Sequence, residues 1–129
     1  MKTYWDSSAI IEAVQQPQLK ARLKSERGIT RPHALAETFS TLTGNPVNRI
    51  DADSAAAIIA NLSLSLDFVD LTAEEMLAAF NVCKKIGVRG GRVHDFMHAV
   101  AAAKGGAEKI ITLDENDFEG LTKIEIELA

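Results

Sequence analysis

The 129-residue chain carries 14 basic and 18 acidic side chains, a formal net charge of −4, and a single cysteine, Cys83. This length suits one domain with its own core, and one cysteine excludes both an intrachain disulfide and a cysteine-built metal cluster. The negative balance argues against a protein that coats nucleic acid by bulk charge, and no apolar run approaches the roughly 18 residues of a membrane span. The start of the chain, with one lysine and an acid at Asp6, lacks the shape of a signal peptide, so a soluble, cytoplasmic protein is expected. Residues 1–64 hold 7 basic and 6 acidic side chains (net +1), and residues 65–129 hold 7 and 12 (net −5). Part of that acidic excess is Asp114, Glu115, Asp117 and Glu119.

In chain order, residues 2–5 read as a first strand, followed by Asp6 and two hydroxyl residues. Ser7 or Ser8 is expected to cap a helix over 9–14. Pro17 restarts the chain into a second short helix with Leu19, Leu23 and Ala21 inward, ended by Gly28. Ile29-Thr30 is a short second strand. Pro32 suits a first helical turn, and residues 33–43 form a helix with Leu35, Phe39 and Leu42 at core spacing. Gly44-Asn45-Pro46 marks a loop. Residues 52–64 are helical, with Asp51 or Asp53 at the cap and Ala56, Ile59 and Leu62 packing inward.

Phe68 to Leu71 is the expected third strand. Thr72 and Glu75 make a capping box for a helix over 73–86 that places Met76, Leu77, Phe80 and Cys83 on one side, with Gly87 as its stop. A Gly-Gly loop leads to a helix over 93–104 whose apolar positions are Phe96, Met97, Val100 and Ala103. Residues 109–113 are a fourth strand, 114–120 a loop or helical turn, and 124–126 a last strand at a sheet edge. Short strands alternating with longer helices imply parallel pairing with helices on both faces, an α/β domain over residues 1–129.

Acids are the chemically informative residues. Asp6 and Asp114 each follow an apolar strand, where an open α/β sheet places its chemistry. If those strands are parallel neighbours, their acids emerge together, about 4.8 Å being the strand spacing. Asp95 falls in a first helical turn, where a carboxylate suits the helix dipole, and Glu37 lies one turn into its helix. Each has a plain alternative: Asp95 as a first-turn acid, Glu37 as an exposed helical residue, Asp114 as a turn former with Asn116. Clustered carboxylates repel one another unless a hard cation or a shared proton joins them. Two such ions in one acidic pocket can activate water and stabilise a phosphodiester's leaving oxygen.

Four blocks carry a family resemblance: Tyr4-Trp5-Asp6-Ser7-Ser8-Ala9-Ile10-Ile11, Ala34-Leu35-Ala36-Glu37-Thr38-Phe39, His94-Asp95-Phe96-Met97-His98-Ala99-Val100-Ala101, and Ile111-Thr112-Leu113-Asp114-Glu115-Asn116-Asp117-Phe118. In order and spacing they resemble the motifs of PIN-domain nucleases, and within them the small VapC-type toxins of toxin–antitoxin pairs. The resemblance implies a three-layer α/β/α domain with a central, mostly parallel sheet of four or five short strands and the first strand central. It also implies an endoribonuclease using Mg²⁺ or Mn²⁺, one or two ions, with RNA as substrate, an inhibitory antitoxin protein and a homodimer.

On this reading Asp6, Glu37 and Asp95 hold the first metal, directly or through water, and Asp114 completes the site. Asp117 either joins the metal site or fixes its loop above Phe118. Ser8 supports Asp6 or a metal water, Thr112 orients Asp114, and a metal-activated water is the nucleophile. Arg89 and Arg92, around Gly90-Gly91, are the first candidates for substrate phosphate, with Arg31, Arg49 and Lys104 behind them. His94 and His98 have the one-turn spacing of a zinc pair, with Asp95 or His33 as a conceivable third ligand, but H-E-x-x-H is absent. The alternative is one packed and one solvated histidine, or a phosphate contact.

Other classes fit less well. Haloacid-dehalogenase-like aspartyl phosphate chemistry wants an acid where Ser8 stands, and a receiver domain wants one after a middle strand. A non-catalytic RNA- or protein-binding module would be expected to lack one of the acids. A nuclease acting on DNA would carry the same cluster.

Overall fold

Tyr4 and Trp5 are adjacent in sequence, both fully buried, and belong to different cores. Successive side chains of a strand point to opposite faces, so this pair shows a strand covered on both sides. Ile110 and Ile111 repeat the pattern on a second strand. Burial of each large apolar side chain contributes roughly 1.5–3 kcal/mol, which is why these short strands sit at the centre.

The computed structural model describes residues 2–129. The elements are β1 (Thr3–Trp5), α1 (Ser7–Gln15), α2 (Pro17–Glu26), β2 (Gly28–Thr30), α3 (His33–Gly44), α4 (Ala52–Ser63), β3 (Leu66–Phe68), α5 (Ala73–Ile86), α6 (Arg92–Lys104), β4 (Lys109–Thr112), a 3₁₀ turn (Glu115–Phe118) and β5 (Glu125–Leu128). The sheet order is β3-β2-β1-β4-β5. Every pairing is parallel, with Tyr4 opposite Ile29 on one side and Ile110 on the other. Helices α1, α2 and α4 contribute to the core containing Trp5, Leu23, Leu62 and Ile111. Helices α5 and α6 cover the other face, over Tyr4, Ile110, Phe96 and Met97. This is the expected three-layer α/β/α fold with the first strand central.

The topology places the site. From β1 the chain runs outward to β2 and β3, then returns to the other side of β1 for β4 and β5. The carboxyl ends of β1 and β4 therefore flank a switch point, where open α/β sheets leave a crevice.

Local chemistry departs from the sequence reading in several places. Asp6, rather than Ser7 or Ser8, caps α1, accepting the Ala9 N–H at 2.9 Å. Arg27, at φ 56°, ends α2, whereas Gly28 is already strand. Gly28 is needed for space: a Cβ there would lie 2.5 Å from Trp5 Cδ1 and 2.9 Å from Leu23 Cδ1. β3 comes earlier than the expected 68–71, because Leu66 fills the Trp5 core and Arg27 pairs with Asp67 beside it.

On α3 the buried face is Ala34, Thr38 and Leu42, while Phe39 is exposed and Leu35 only partly covered. On α4 it is Ala55, not Ala56, that goes inward with Leu62. Leu77 and Phe80 of α5 face outward and Ala79 is its buried residue. Ala103 of α6 is exposed as well. The Thr72–Glu75 capping box and the Gly87 stop of α5 are as expected.

Candidate functional site

Asp6 is 3% exposed and both carboxylate oxygens are engaged. Oδ1 accepts the Ala9 N–H at 2.9 Å and the Ser8 hydroxyl at 2.7 Å, and Oδ2 accepts the Thr112 hydroxyl at 2.6 Å. Thr112 ends β4, so this last bond ties the two strands flanking the crevice. Thr112 Oγ1 also lies 3.4 Å from the Asp114 amide. The threonine was expected to orient Asp114. It fixes the Asp6 carboxylate and touches only the backbone of Asp114.

Glu37 enters from α3 and meets α6. His98 Nε2 lies 2.8 Å from Glu37 Oε1, and His98 Nδ1 lies 2.6 Å from the Tyr4 hydroxyl. A carboxylate can only accept, so Nε2–H donates to Glu37, and in the neutral ring Nδ1 then accepts from Tyr4. Burial pushes the Tyr4 hydroxyl far above its ordinary range, so it remains a neutral donor. Half-burial pushes Glu37 up, yet the His98 hydrogen bond and the nearby His98, His33 and His94 outweigh it, leaving its pKa below the usual value. His98 is buried and exposed His94 lies one turn earlier, its ring stacked on that of His33, with centroids 6.0 Å apart. Thus α3 and α6 are joined by two rungs, His33 with His94 and Glu37 with His98. The arrangement matches the packed-and-solvated alternative, and the two histidines do not converge as a zinc pair.

Asp95 is half-buried in the first turn of α6, and its pKa is pushed up to about 6 by desolvation and by the charges of Asp117 and Asp6. Asp117 is likewise raised, by desolvation and then by Asp114 and Asp6. The influence runs across three elements, so the acids from β1, α6 and the segment after β4 share one electrostatic neighbourhood. Asp114 itself is exposed and caps the 3₁₀ turn, accepting the Asn116 N–H at 2.9 Å. Phe118 is packed beneath this turn, as expected. The Arg92 guanidinium donates to the Glu119 carbonyl, and its charge offsets part of the shifts on Asp95 and Asp117. Arg89 is exposed on the Gly87 side of the loop, by Cys83 and Lys84. Lys104 pairs with Glu75, and Arg49 is solvated.

Among the described residues no three His, Cys, Asp or Glu side chains stand ready to hold a metal ion. The reason is local: Asp6 faces Ala9, Ser8 and Thr112, Glu37 faces His98, and Asp114 faces Asn116. The donor chemistry nonetheless suits a hard divalent cation, which takes carboxylate oxygens and relieves the repulsion that, after burial, raises Asp95 and Asp117. Asp6 Oδ2 and Glu37 Oε2 retain capacity for it.

Sequence reading missed the Tyr4–His98 contact, although a buried tyrosine hydroxyl calls for a partner. It also ranked Arg31 low, yet that residue is buried immediately after β2.

Comparison with known proteins bears on the fold and the family. No curated protein matches the sequence. The fold is similar to that of PAE2754 from Pyrobaculum aerophilum, with TM-score 0.74 and 16% identity over 98% of this chain and 88% of that one. It is similar to VapBC2 from Rickettsia felis, bound to a DNA fragment from the promoter (TM-score 0.71, 13% identity, 100% and 99% coverage). It is also similar to VapBC-1 from nontypeable Haemophilus influenzae (TM-score 0.67, 17% identity, 98% and 97% coverage). At these identities the likeness shows the fold. The model of the PIN domain matches residues 3–123, so the chain belongs to the PIN domain family.

Proposed function

We propose that the protein is a metal-dependent endoribonuclease, the toxin of a toxin–antitoxin pair, which hydrolyses RNA phosphodiesters. What supports this reading is the buried Asp6 carboxylate, held by Ser8 and Thr112 at the carboxyl end of the central strand of a PIN domain, with Asp95 raised first by burial and then by the charges of Asp117 and Asp6. A hard divalent cation, Mg²⁺ or Mn²⁺ and one or two ions, would supply an acidified water and neutralise phosphate charge. Asp6, Glu37 and Asp95 are the residues to hold it, directly or through water, with Asp114 and Asp117 completing the acidic ring.

The chain's own residues prepare that site. Ser8 and Thr112 hold the Asp6 carboxylate in one orientation, and His98 does the same for Glu37. Such outer hydrogen bonds fix the lone pairs that a ligand presents. Arg92, close enough to influence Asp95 and Asp117, is suited to meet the substrate phosphate. Arg89, exposed three residues before Arg92, is the second candidate cation for the substrate. The similar VapBC structures support a small antitoxin protein as partner, and a homodimer is the proposed assembly.

A second reading, a PIN-fold binding module without catalysis, draws on the engagement of the carboxylates by protein donors. The test is incubation of the purified chain, freed of any partner, with single-stranded RNA in Mn²⁺ or Mg²⁺ and in EDTA. Metal-dependent cleavage, including at a linkage lacking the adjacent 2′-hydroxyl, is expected when water is the nucleophile. Absence of cleavage across a broad set of RNAs would favour the binding module. Cleavage of DNA alone would move the substrate.

A further inference from the structure

Arg31 is 7% exposed. Its Nε has no hydrogen-bond partner among the described residues, and none of the ion pairs among them includes it. A guanidinium keeps its charge and offers five N–H donors. Burying it without acceptors is costly, so its position makes sense where an acceptor arrives from outside.

Arg31 lines a pocket of about 210 Å³ with Met76, Phe80 and Met97, rimmed by His33 and His94. Those two rings lie 20° from parallel. One helical turn further along α3 and α6 are Glu37 and His98, so the pocket adjoins the acidic site. Its walls are thioether, aromatic and imidazole surfaces around one cation. A phosphate would need more positive charge and water than this lining offers. A flat heterocycle with an acceptor edge matches both features, because bases of single-stranded RNA stack on such side chains and hydrogen-bond through their edges.

We propose that this pocket receives one unstacked nucleobase of the RNA held at the acidic site, with its ring against the apolar wall and an acceptor on its edge meeting Arg31. The subsite rests on the ribonuclease reading and extends it: a cation on the acids would engage the backbone, and the Arg31 pocket engages one base beside the scissile linkage. Position favours RNA over a protein side chain, since Glu37 and His98 of the acidic site lie one helical turn from the His33 and His94 rim.

The test is equilibrium binding of single-stranded RNA to the full chain, in EDTA and again with Ca²⁺ to neutralise the acids, with an oligonucleotide series in which each base in turn is removed to an abasic site. In the wild type, one abasic position is expected to weaken binding on the order of tenfold, the size of one base–aromatic contact. That penalty is expected to vanish in Arg31→Gln and in His94→Ala. Should Arg31→Gln fail to fold, the exposed His94→Ala carries the comparison. No sensitive position, an unchanged penalty in the variants, or no RNA binding by the wild type overturns the subsite. A pocket that instead serves a protein partner gives the second of these results. Metal-dependent cleavage of the intact oligonucleotide is measured in parallel. Loss of cleavage with the base penalty intact sinks the nuclease reading alone, whereas cleavage without a base penalty sinks the subsite alone.

Discussion

One imidazole, that of His98, links the hydroxyl of Tyr4 on the central strand to Glu37 on α3, at 2.6 and 2.8 Å. His98→Ala strands the buried tyrosine hydroxyl and frees Glu37. An unsatisfied buried polar group costs about 1–3 kcal/mol, so urea unfolding should show at least that loss. Tyr4→Phe keeps the ring and the Glu37 contact but strands the buried His98 Nδ1, so it should cost about 1–3 kcal/mol, less than His98→Ala, which also opens a cavity. A Tyr4→Phe loss as large as that of His98→Ala would show that the linkage is not the main role of the histidine.

The Thr112 hydroxyl, 2.6 Å from Asp6, is the next point of control. Thr112→Val keeps the shape of a buried strand residue and removes the donor. Outer hydrogen bonds of metal ligands typically carry about 10- to 100-fold in affinity. Calorimetric titration with Mn²⁺ should therefore show at least a tenfold weaker ion, with a smaller effect for Ser8→Ala, because Asp6 Oδ1 keeps the Ala9 N–H. Equal affinities in wild type and Thr112→Val would remove Asp6 from the metal site.

Asp95 makes stability depend on pH. Its pKa rises from about 3.9 in the unfolded chain to about 6 in the folded one. The folded state holds the proton more tightly, so this contribution is present below pH ~4 and is lost as pH rises through ~6. The full shift would correspond to about 3 kcal/mol, but solvent screening of this half-buried side chain reduces it to about 1 kcal/mol. In metal-free buffer, Asp95→Asn should gain about that much relative to the wild type between pH 4 and 7. Mn²⁺ at pH 7 should narrow the difference. A wild type that keeps pace with the variant over this range would argue against the burial of Asp95 and its crowding by Asp117 and Asp6.

Gly28→Ala tests the sheet beneath the site. The added Cβ would sit 2.5 Å from Trp5 Cδ1, and overpacking a filled core costs about 1–3 kcal/mol. A fall in thermal midpoint is expected. An unchanged midpoint would mean that the Trp5 ring moves aside freely.

What was legible in the sequence was local. A strand followed by Asp6, the Thr72–Glu75 box and the Gly87 stop each rest on residues a few positions apart, and parallel pairing follows from the alternation of strands and helices. The acids could be named because their neighbours resemble family motifs. Their present orientation could not be read. Glu37 turns to His98 across 61 positions, and Asp6 to Thr112 across 106. Gly28 passed for a helix stop because its real constraint is the Trp5 ring on another strand. The faces of α3, α4 and α5 were drawn by spacing alone, which cannot tell how much sheet lies beneath them. For that reason Phe39 and Ala56 were placed inward, and Leu77 and Phe80 were put on one side with Met76 and Cys83. Arg31 looked like a surface cation because nothing near it in sequence shows its burial.

The most direct measurement takes wild type, Asp6→Asn and Asp95→Asn through paired assays: Mn²⁺ binding by calorimetry, and cleavage of one single-stranded RNA with Mn²⁺ or EDTA. The account expects the wild type to bind Mn²⁺ and cleave only with metal. Each variant, folded by circular dichroism, should lose most of its Mn²⁺ affinity and its cleavage together. Variants that retain both Mn²⁺ binding and cleavage would contradict the claim that these acids form one metal-dependent hydrolytic centre.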